Sequence, residues 1–554
     1  MTLQKLAEKI FGDRRLALLL LVCLSLGVYL NSLNGAFVSD DVQTIVKNPL
    51  IADSGKYLKM AHIAQFSLSL NYHLGQFHPF VYHLSNLLLH LGVVLLGYLF
   101  IKGLVGEKVA VASSALYAVH PLNTEVVSWI SGRPYGLGAL FALASLVLYL
   151  FAFKKDKYFS FYYSASIIFF LFGLLSNSNL IIFVLILGLY EMVFGKLAKN
   201  WLKLIPYGLI TLAFIIYLVQ PFQTRVVTEN PEYTGGVELM NPVIQIPVAI
   251  SGYLERFVFP YNLSFYHEDL SVPLFNYLVM LTITVTLLGS LIYFYLKEKV
   301  AFFGLAFFLV SLIPTLLPIR IAWVVAERYV YFGLLGLCLI VGWYLVKFLE
   351  KYDQVLLIVL GILVVLLSMR TMARNRDWQS IETLYIATAK ASPTSSKAWN
   401  NMGDLYSSKK DYRSSILAFQ RAIQLRPDYV DAHHNVGVTY LQMQDFDNAI
   451  LWFEKAIAIY PLAQSYNDMG VAYFYKGMPE KAEECFQKGL AVDPGSSLIH
   501  NSLGLIYLKT NRLEEARQAW LKALELDPYN QGVMKNLQLL EQNLQASPSA
   551  SPKP

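Results

Sequence analysis

Up to about residue 370 the chain is a succession of apolar runs, each near the ~20 residues that cross bilayer hydrocarbon. Backbone polar groups in lipid must be satisfied within their own segment, so such a chain folds as a helical bundle. Eleven runs read as spans, near 15–32, 79–101, 108–121, 134–153, 158–175, 178–195, 203–220, 273–296, 300–317, 328–348 and 354–371. The stretch 243–260 contains Glu255 and Arg256 and ends in Pro260, which predicts a re-entrant or interfacial helix. Lys5, Lys9, Arg14 and Arg15 precede the first run, and further spans follow it, so it reads as a retained span and not a cleaved signal. Only 15% of residues are charged, against about 25% in an average soluble domain. Charge becomes ordinary after about residue 370, and a domain boundary is expected there.

Basic residues set the orientation. Lys102 with Lys108, the group Lys154, Lys155 and Lys157, then Lys196, Lys199 and Lys203, Lys297 with Lys299, and Lys347 with Lys351 occupy alternate loops. With the basic N-terminus, all of these fit the cytoplasmic side. Eleven spans then put the C-terminal region outside; Arg370, Arg374 and Arg376 sit against the rule. The net charge of +6 is spread over short loops, which reads as topology and gives no nucleic-acid footprint. Cys23, Cys338 and Cys485 make no CxxC and no disulfide framework.

Beyond the boundary, Pro393, Pro427, Pro461, Pro494 and Pro528 recur in steps of 34, 34, 33 and 34. Gly403, Gly437, Gly470 and Gly504 keep the same step, as do Tyr406, Tyr440, Tyr473 and Tyr507. Phe419, Phe453, Phe486 and Trp520 follow, and Trp399 opens the first unit. Small residues where two helices touch, an aromatic filling the gap and a closing proline make the tetratricopeptide pattern. Four repeats over 396–530 are expected, with a capping helix at 531–545, a disordered tail at 546–554 and a connecting segment at 373–395. The fold class is all-α: a polytopic bundle followed by an α-solenoid. Such arrays bind proteins, so a protein partner is expected at 396–530. His433–His434 could suggest a metal, but reads better as helix-surface polarity.

The unusual polar residues of the membrane half collect on the outer face. Asp40 and Asp41 follow the first span; adjacent carboxylates there suit a general base, a divalent-ion site or merely a solvated loop. His83, Asn86 and His90, spaced i, i+3, i+7, share one helix face, as site residues or as interhelical hydrogen-bonding groups. His120, Glu125 and Arg133 interrupt an apolar region, and Glu327–Arg328 opens the tenth span. Arginine suits phosphate because its planar fork stays charged and donates two parallel bonds. One base and good phosphate clamps suffice for group transfer to a hydroxyl from a lipid phosphate, because phosphate leaves without needing a proton.

Five ordered motifs carry a family resemblance: Phe37-Val-Ser-Asp-Asp with Asn48, Tyr82-His-Leu-Ser-Asn-Leu-Leu-Leu-His, His120-Pro-Leu-Asn-Thr-Glu with Gly132–Arg133, Leu254-Glu-Arg-Phe-Val-Phe-Pro-Tyr-Asn-Leu-Ser, and Ala326-Glu-Arg-Tyr-Val-Tyr. The chain resembles the transmembrane and tetratricopeptide-repeat O-mannosyltransferases, within the GT-C glycosyltransferases, over nearly its whole length. The resemblance implies a GT-C-like domain at 1–372 and inverting transfer of mannose, or a similar sugar, from a polyprenyl-phosphate donor to Ser/Thr of proteins. It implies Asp40 and Asp41 as catalytic residues and His120, Arg133 and Arg328 as donor-phosphate residues; His83, Asn86, His90, Glu125 and Glu327, read from their placement, are expected as supporting polar residues. Three positions depart from the pattern: Ser39 replaces an aromatic, Tyr135 an acid, and Ser176-Asn-Ser-Asn a Lys-Glu pair. Those losses motivate a second expectation, a non-catalytic membrane scaffold docking partners through its repeats. Short loops favour a prokaryotic plasma membrane with the repeats extracytoplasmic; in a eukaryote the membrane would be that of the endoplasmic reticulum.

Overall fold

The computed structural model describes residues 2–154, 159–228, 241–265, 272–316 and 324–546. The expected outer loops 225–269 and 320–328 and the tail 546–554 lie partly outside these residues. Among the described residues the structure is helical, with no strand, and they form two compact units divided between Ser392 and Pro393.

In the first unit a helix stands at each expected apolar run. Pro79–Val105, Arg133–Lys154, Leu274–Lys297, Lys299–Leu316 and Asp353–Asp377 are examples. Among the described residues, seven helical stretches are long and apolar enough to cross a membrane, and Ser160–Ser176, Ser178–Val193 and Leu334–Phe348 are apolar but shorter. The chain is thus a membrane protein. Glu107–Val119 differs from the expected span: thirteen residues rise only ~20 Å, and every residue from Val109 to Val119 is buried. It is a core helix wrapped by neighbours. The stretch expected to be re-entrant or interfacial is the helix Pro242–Val258, capped by the Asn241 side chain and buried at Gln245 and from Pro247 to Tyr253.

Small residues let the backbones approach, as lipid-embedded helices require. A Cβ on Gly304 would stand 2.6 Å from the Gly336 carbonyl oxygen, so these glycines mark a close helix crossing. Several loops read as cytoplasmic meet at one end of the bundle. Lys108 donates to Asp353 at 2.8 Å, Lys102 pairs with Glu107, and Lys347 pairs with Glu298. At the opposite end the last long helix runs to Asp377, past the boundary expected near 372, because Arg374 and Asn375 are fully buried there. Asn375 donates to the Val28 carbonyl at 2.9 Å, Asn31 donates to that of Met372 at 2.8 Å, and Thr371 to that of Val119 at 2.7 Å.

The second unit contains four helix pairs, from Ser396–Ser408 with Tyr412–Leu425 to Ser497–Lys509 with Leu513–Leu526. The glycine step has a direct cause: a Cβ on Gly437 would meet the Phe453 ring at 2.7 Å, and one on Gly470 the Phe486 ring at 2.8 Å. Gly403 under Phe419 and Gly504 under Trp520 repeat the contact. The turn inside each pair needs a left-handed residue, at Lys410, Gln444, Gly477 and Asn511; only one of the four is glycine. Val533, Leu537 and Leu540 of the final helix, Gln531–Ala546, cover Ala516, Trp520 and Ala523.

Candidate functional site

The acidic pair splits into two different residues. A short turn at Leu30–Ser32 ends the first span, and the loop then reaches Ser39 at φ +51°, a strained conformation for a residue with a Cβ. Beyond it, Asp41 is fully buried. One of its oxygens accepts from the Ser131 amide at 2.8 Å and the Ser131 hydroxyl at 2.5 Å; the other accepts from the Val38 amide at 3.1 Å. Burial pushes the Asp41 carboxyl up to about 7, while the three donors pull the other way. Asp40 is exposed, and its carboxylate accepts from the Ser39 hydroxyl at 3.4 Å. The Thr44 hydroxyl donates to the Asp40 carbonyl at 2.8 Å and lies 3.2 Å from that of Ser131. Asp41 anchors the loop, and Asp40 is the acid that solvent can reach.

This arrangement does not fit a two-carboxylate cation site, because both Asp41 oxygens already accept from protein donors. Among the described residues no group of three His, Cys, Asp or Glu side chains comes together for a metal.

His83, Asn86 and His90 share an inward face, each 3% exposed or less. His83 Nε2 lies 3.2 Å from the Gly35 carbonyl, which ties the helix Pro79–Val105 to the acidic loop. Asn86 donates to the Trp129 carbonyl at 3.0 Å and accepts from Arg133 Nε at 2.8 Å. His90 bridges the Tyr331 hydroxyl at 2.9 Å and the Ala118 carbonyl at 3.1 Å. Arg133 also donates to Asn71 and, at 2.8 Å, to the Tyr82 carbonyl. Its guanidinium is committed to holding segments together.

Glu125 accepts from the Arg328 amide at 2.8 Å and pairs with the Arg328 guanidinium, which lies over the Trp129 and Tyr329 rings. Glu327 pairs with Arg374 at 3.0 Å, and Arg374 also reaches Asp377 at 2.9 Å. Arg328 lines a cavity of about 20 Å³ with Tyr135, Asn177 and Asn179, room for about one water. Two of the departures noted in the sequence thus meet at one point.

His120 lies elsewhere. Its Nδ1 accepts from the Leu122 amide at 3.2 Å, so the proton sits on Nε2, 3.1 Å from the Phe257 carbonyl. His120 and Arg370 are the polar edge of an apolar cavity of about 490 Å³, walled by residues such as Leu116, Phe257, Val341 and Leu367. Arg370 donates to the Pro260 and Tyr261 carbonyls at 2.7 and 2.9 Å. Among the described residues, neither cavity is lined by Asp40, Asp41 or Arg133. Reading the sequence for site residues missed Ser131, Arg370 and Arg374. The two arginines had left a signal, cations standing against the loop-charge rule.

Bundle, site and array together define a polytopic membrane protein with an appended tetratricopeptide solenoid. Tetratricopeptide-repeat family models match residues 403–444, 431–495 and 467–531. The chain is 25% identical over 466 residues to protein O-mannosyl-transferase TMTC3 of Homo sapiens, covering 72% of this chain and 50% of that protein. It is 25% identical over 447 residues to protein O-mannosyl-transferase F38B6.6 of Caenorhabditis elegans, covering 74% and 63%. The resemblance to the tetratricopeptide-repeat O-mannosyltransferases is thus borne out over most of the chain, which spans about half the length of the first of these relatives. Among solved structures, MamA is 20% identical, covering 27% of this chain and 82% of that chain, with a TM-score of 0.24.

Proposed function

We propose that this protein transfers a sugar, mannose by analogy with its relatives, from a polyprenyl-phosphate donor to Ser or Thr hydroxyls of proteins. The observation that carries the reading is the apolar cavity edged by Arg370 and His120. Arg370 belongs to the last long helix and Asp40 to the loop after the first span, and hydrogen bonds join these elements at one end of the bundle. A hydrocarbon tail fits the cavity walls, and a phosphate fits the arginine at its edge. Among the described residues Arg370 Nη1 keeps no hydrogen bond, so it is available to an anion.

In this reading Asp40 takes the proton of the acceptor hydroxyl as its oxygen attacks the anomeric carbon. The bond from that carbon to the phosphate oxygen breaks, and the electron pair leaves with the phosphate. Attack opposite the leaving group inverts the configuration. Arg370 stabilises the charge that develops on the phosphate, with His120 Nε2–H as a neighbouring donor. Arg133 acts by holding the loops, because its donors are engaged by Asn86, Asn71 and the Tyr82 carbonyl, and Arg328 through its ion pair with Glu125. The alternation of basic loops supports placing this end, and the repeats, on the non-cytoplasmic side. There the repeats would hold the acceptor or a partner protein.

The test is turnover of polyprenyl-phosphate-mannose by the purified full chain beside Asp40→Asn and Arg370→Ala. Asp40→Asn should lower the maximal rate by about 100-fold or more, the scale of a lost general base. Arg370→Ala should chiefly weaken donor binding. Full activity in Asp40→Asn sinks the proposed base. The uncharged Tyr135, Asn177 and Asn179 around Arg328 favour a second reading, a docking scaffold without turnover. Absence of donor turnover together with a tight sugar-independent partner would support it.

A further inference from the structure

The segment that ends the helix Pro242–Val258 ties down both polar groups at the edge of the apolar cavity. His120 Nε2 donates to the Phe257 carbonyl at 3.1 Å, and the two rings stack 5.1 Å apart at 8°. Arg370 Nε donates to the Pro260 carbonyl at 2.7 Å and Nη2 to that of Tyr261 at 2.9 Å. Nε and Nη2 form one edge of the guanidinium, the edge with which arginine grips a phosphate through two parallel bonds. Here two backbone oxygens fill that edge. The donors that suit a phosphate thus end on the carbonyls of one short strap, residues 257–261.

Other contacts hold the strap only weakly. Its helix stops where the Phe259 amide bonds to the Glu255 carbonyl at 2.7 Å, and the Tyr261 amide then turns back to the Phe259 carbonyl at 2.7 Å. Val258, Phe259 and Tyr261 are 61%, 72% and 82% exposed, whereas Tyr253 before the strap and Leu263 after it are buried. The strap is anchored at both ends, and its middle is tied chiefly by hydrogen bonds. An anionic phosphate oxygen is a stronger acceptor than a neutral carbonyl, by about twofold in hydrogen-bond strength. Carbonyls released at an exposed strap find water, so the exchange leaves no buried group unsatisfied.

We propose that the strap 257–261 is a displaceable cover on the lipid-phosphate site. The phosphate takes over the Nε–Nη2 edge of Arg370 and the His120 N–H, and the strap carbonyls turn to solvent. Residues of the strap also wall the cavity, so the lipid tail enters beside the segment that its phosphate displaces. A neutral lipid of the same length fills the cavity but has no charge to exchange for the carbonyls. The inference rests on the donor reading above and adds to it a competition between phosphate and backbone for the same donors.

The experiment is electron paramagnetic resonance of a nitroxide on Phe259→Cys in the full chain in detergent. Cys23→Ser removes the exposed native thiol; Cys338 and Cys485 are buried. Polyprenyl phosphate, the product of the proposed transfer, carries the same tail and phosphate and should narrow the lines as the strap is freed. Polyprenol of the same length should not. Arg370→Ala and His120→Phe should each narrow the lines without any lipid; the second keeps an aromatic ring against Phe257 and removes the N–H. A label on Tyr352→Cys, exposed at the start of the last long helix, should not change in either variant. Retention of radiolabelled polyprenyl phosphate is measured on the same samples. Retained lipid with unchanged lines overturns the inference and leaves the donor reading standing. Equal narrowing by polyprenol, or lines in both variants as broad as in the parent, also overturns it. No retained lipid overturns the donor reading and the exchange together.

Discussion

Ser131 donates twice to one oxygen of Asp41, from its amide at 2.8 Å and its hydroxyl at 2.5 Å, across 90 residues of chain. This clamp fixes the loop on which Asp40 is presented. Ser131→Ala removes one of the hydrogen bonds to the buried Asp41 carboxyl, a loss of about 1 kcal/mol. The melting temperature should fall, and under the proposed chemistry turnover should fall while donor affinity changes little. A variant with normal melting and normal turnover would deny the clamp its positioning role.

Asp41 also gives a pH dependence whose sign is set. Its carboxyl is raised from an ordinary value near 3.8 to about 7 by burial, so the folded protein holds a proton that the unfolded chain has released. The stabilisation from that proton is complete below about pH 4 and is lost as pH rises through about 7. Thermal melting from pH 4 to 8 should therefore show a loss in the parent that is absent from Asp41→Asn. Parallel curves would mean that Asp41 ionises normally.

Glu125 and Arg328 are a buried ion pair, and breaking one half of such a pair costs about 3–5 kcal/mol. Glu125→Gln and Arg328→Met should each destabilise strongly. The double variant should be less destabilised than the sum of the two, because neither charge is then left alone. Strict additivity in melting or chemical denaturation would count against the pairing.

Gly437 and Gly477 separate two roles of glycine in the repeats. Gly437→Ala drives a methyl into the Phe453 ring, and such overpacking costs about 1–3 kcal/mol. Gly477 has open space around it, but at φ +82° alanine is strained by about 1–2 kcal/mol. Lys410→Gly, at φ +61°, should change stability little or raise it. Hydrogen exchange across 396–530 reads all three, with Gly437→Ala expected to lose the most protection.

Much of this architecture is legible in the sequence, for a local reason. An apolar run in lipid has one conformation open to it, so expected spans such as 79–101 and 273–296 end within a few residues of the helices Pro79–Val105 and Leu274–Lys297. The repeat step was equally readable, because each glycine faces an aromatic of its own helix pair. The helix Glu107–Val119 shows the limit of such reading, since a run buried by protein looks like one buried by lipid. Within the candidate site, the spacing of His83, Asn86 and His90 showed that they share a face. It did not show that each would be engaged by a backbone carbonyl from another segment.

The sequence by itself determined a helical membrane bundle, a tetratricopeptide array and the collection of polar residues at one end. Hydrophobicity, helical spacing and a fixed repeat are properties of neighbouring residues, and a single chain displays them. Only the tertiary structure decided that Asp41 is an anchor and Asp40 the reachable acid. It alone showed that Arg133 is spent on Asn86, Asn71 and Tyr82, and that Arg370 edges the apolar cavity instead. Those distinctions depend on which distant group satisfies each charge, and partners such as Ser131 for Asp41 and Glu125 for Arg328 meet only when the bundle closes.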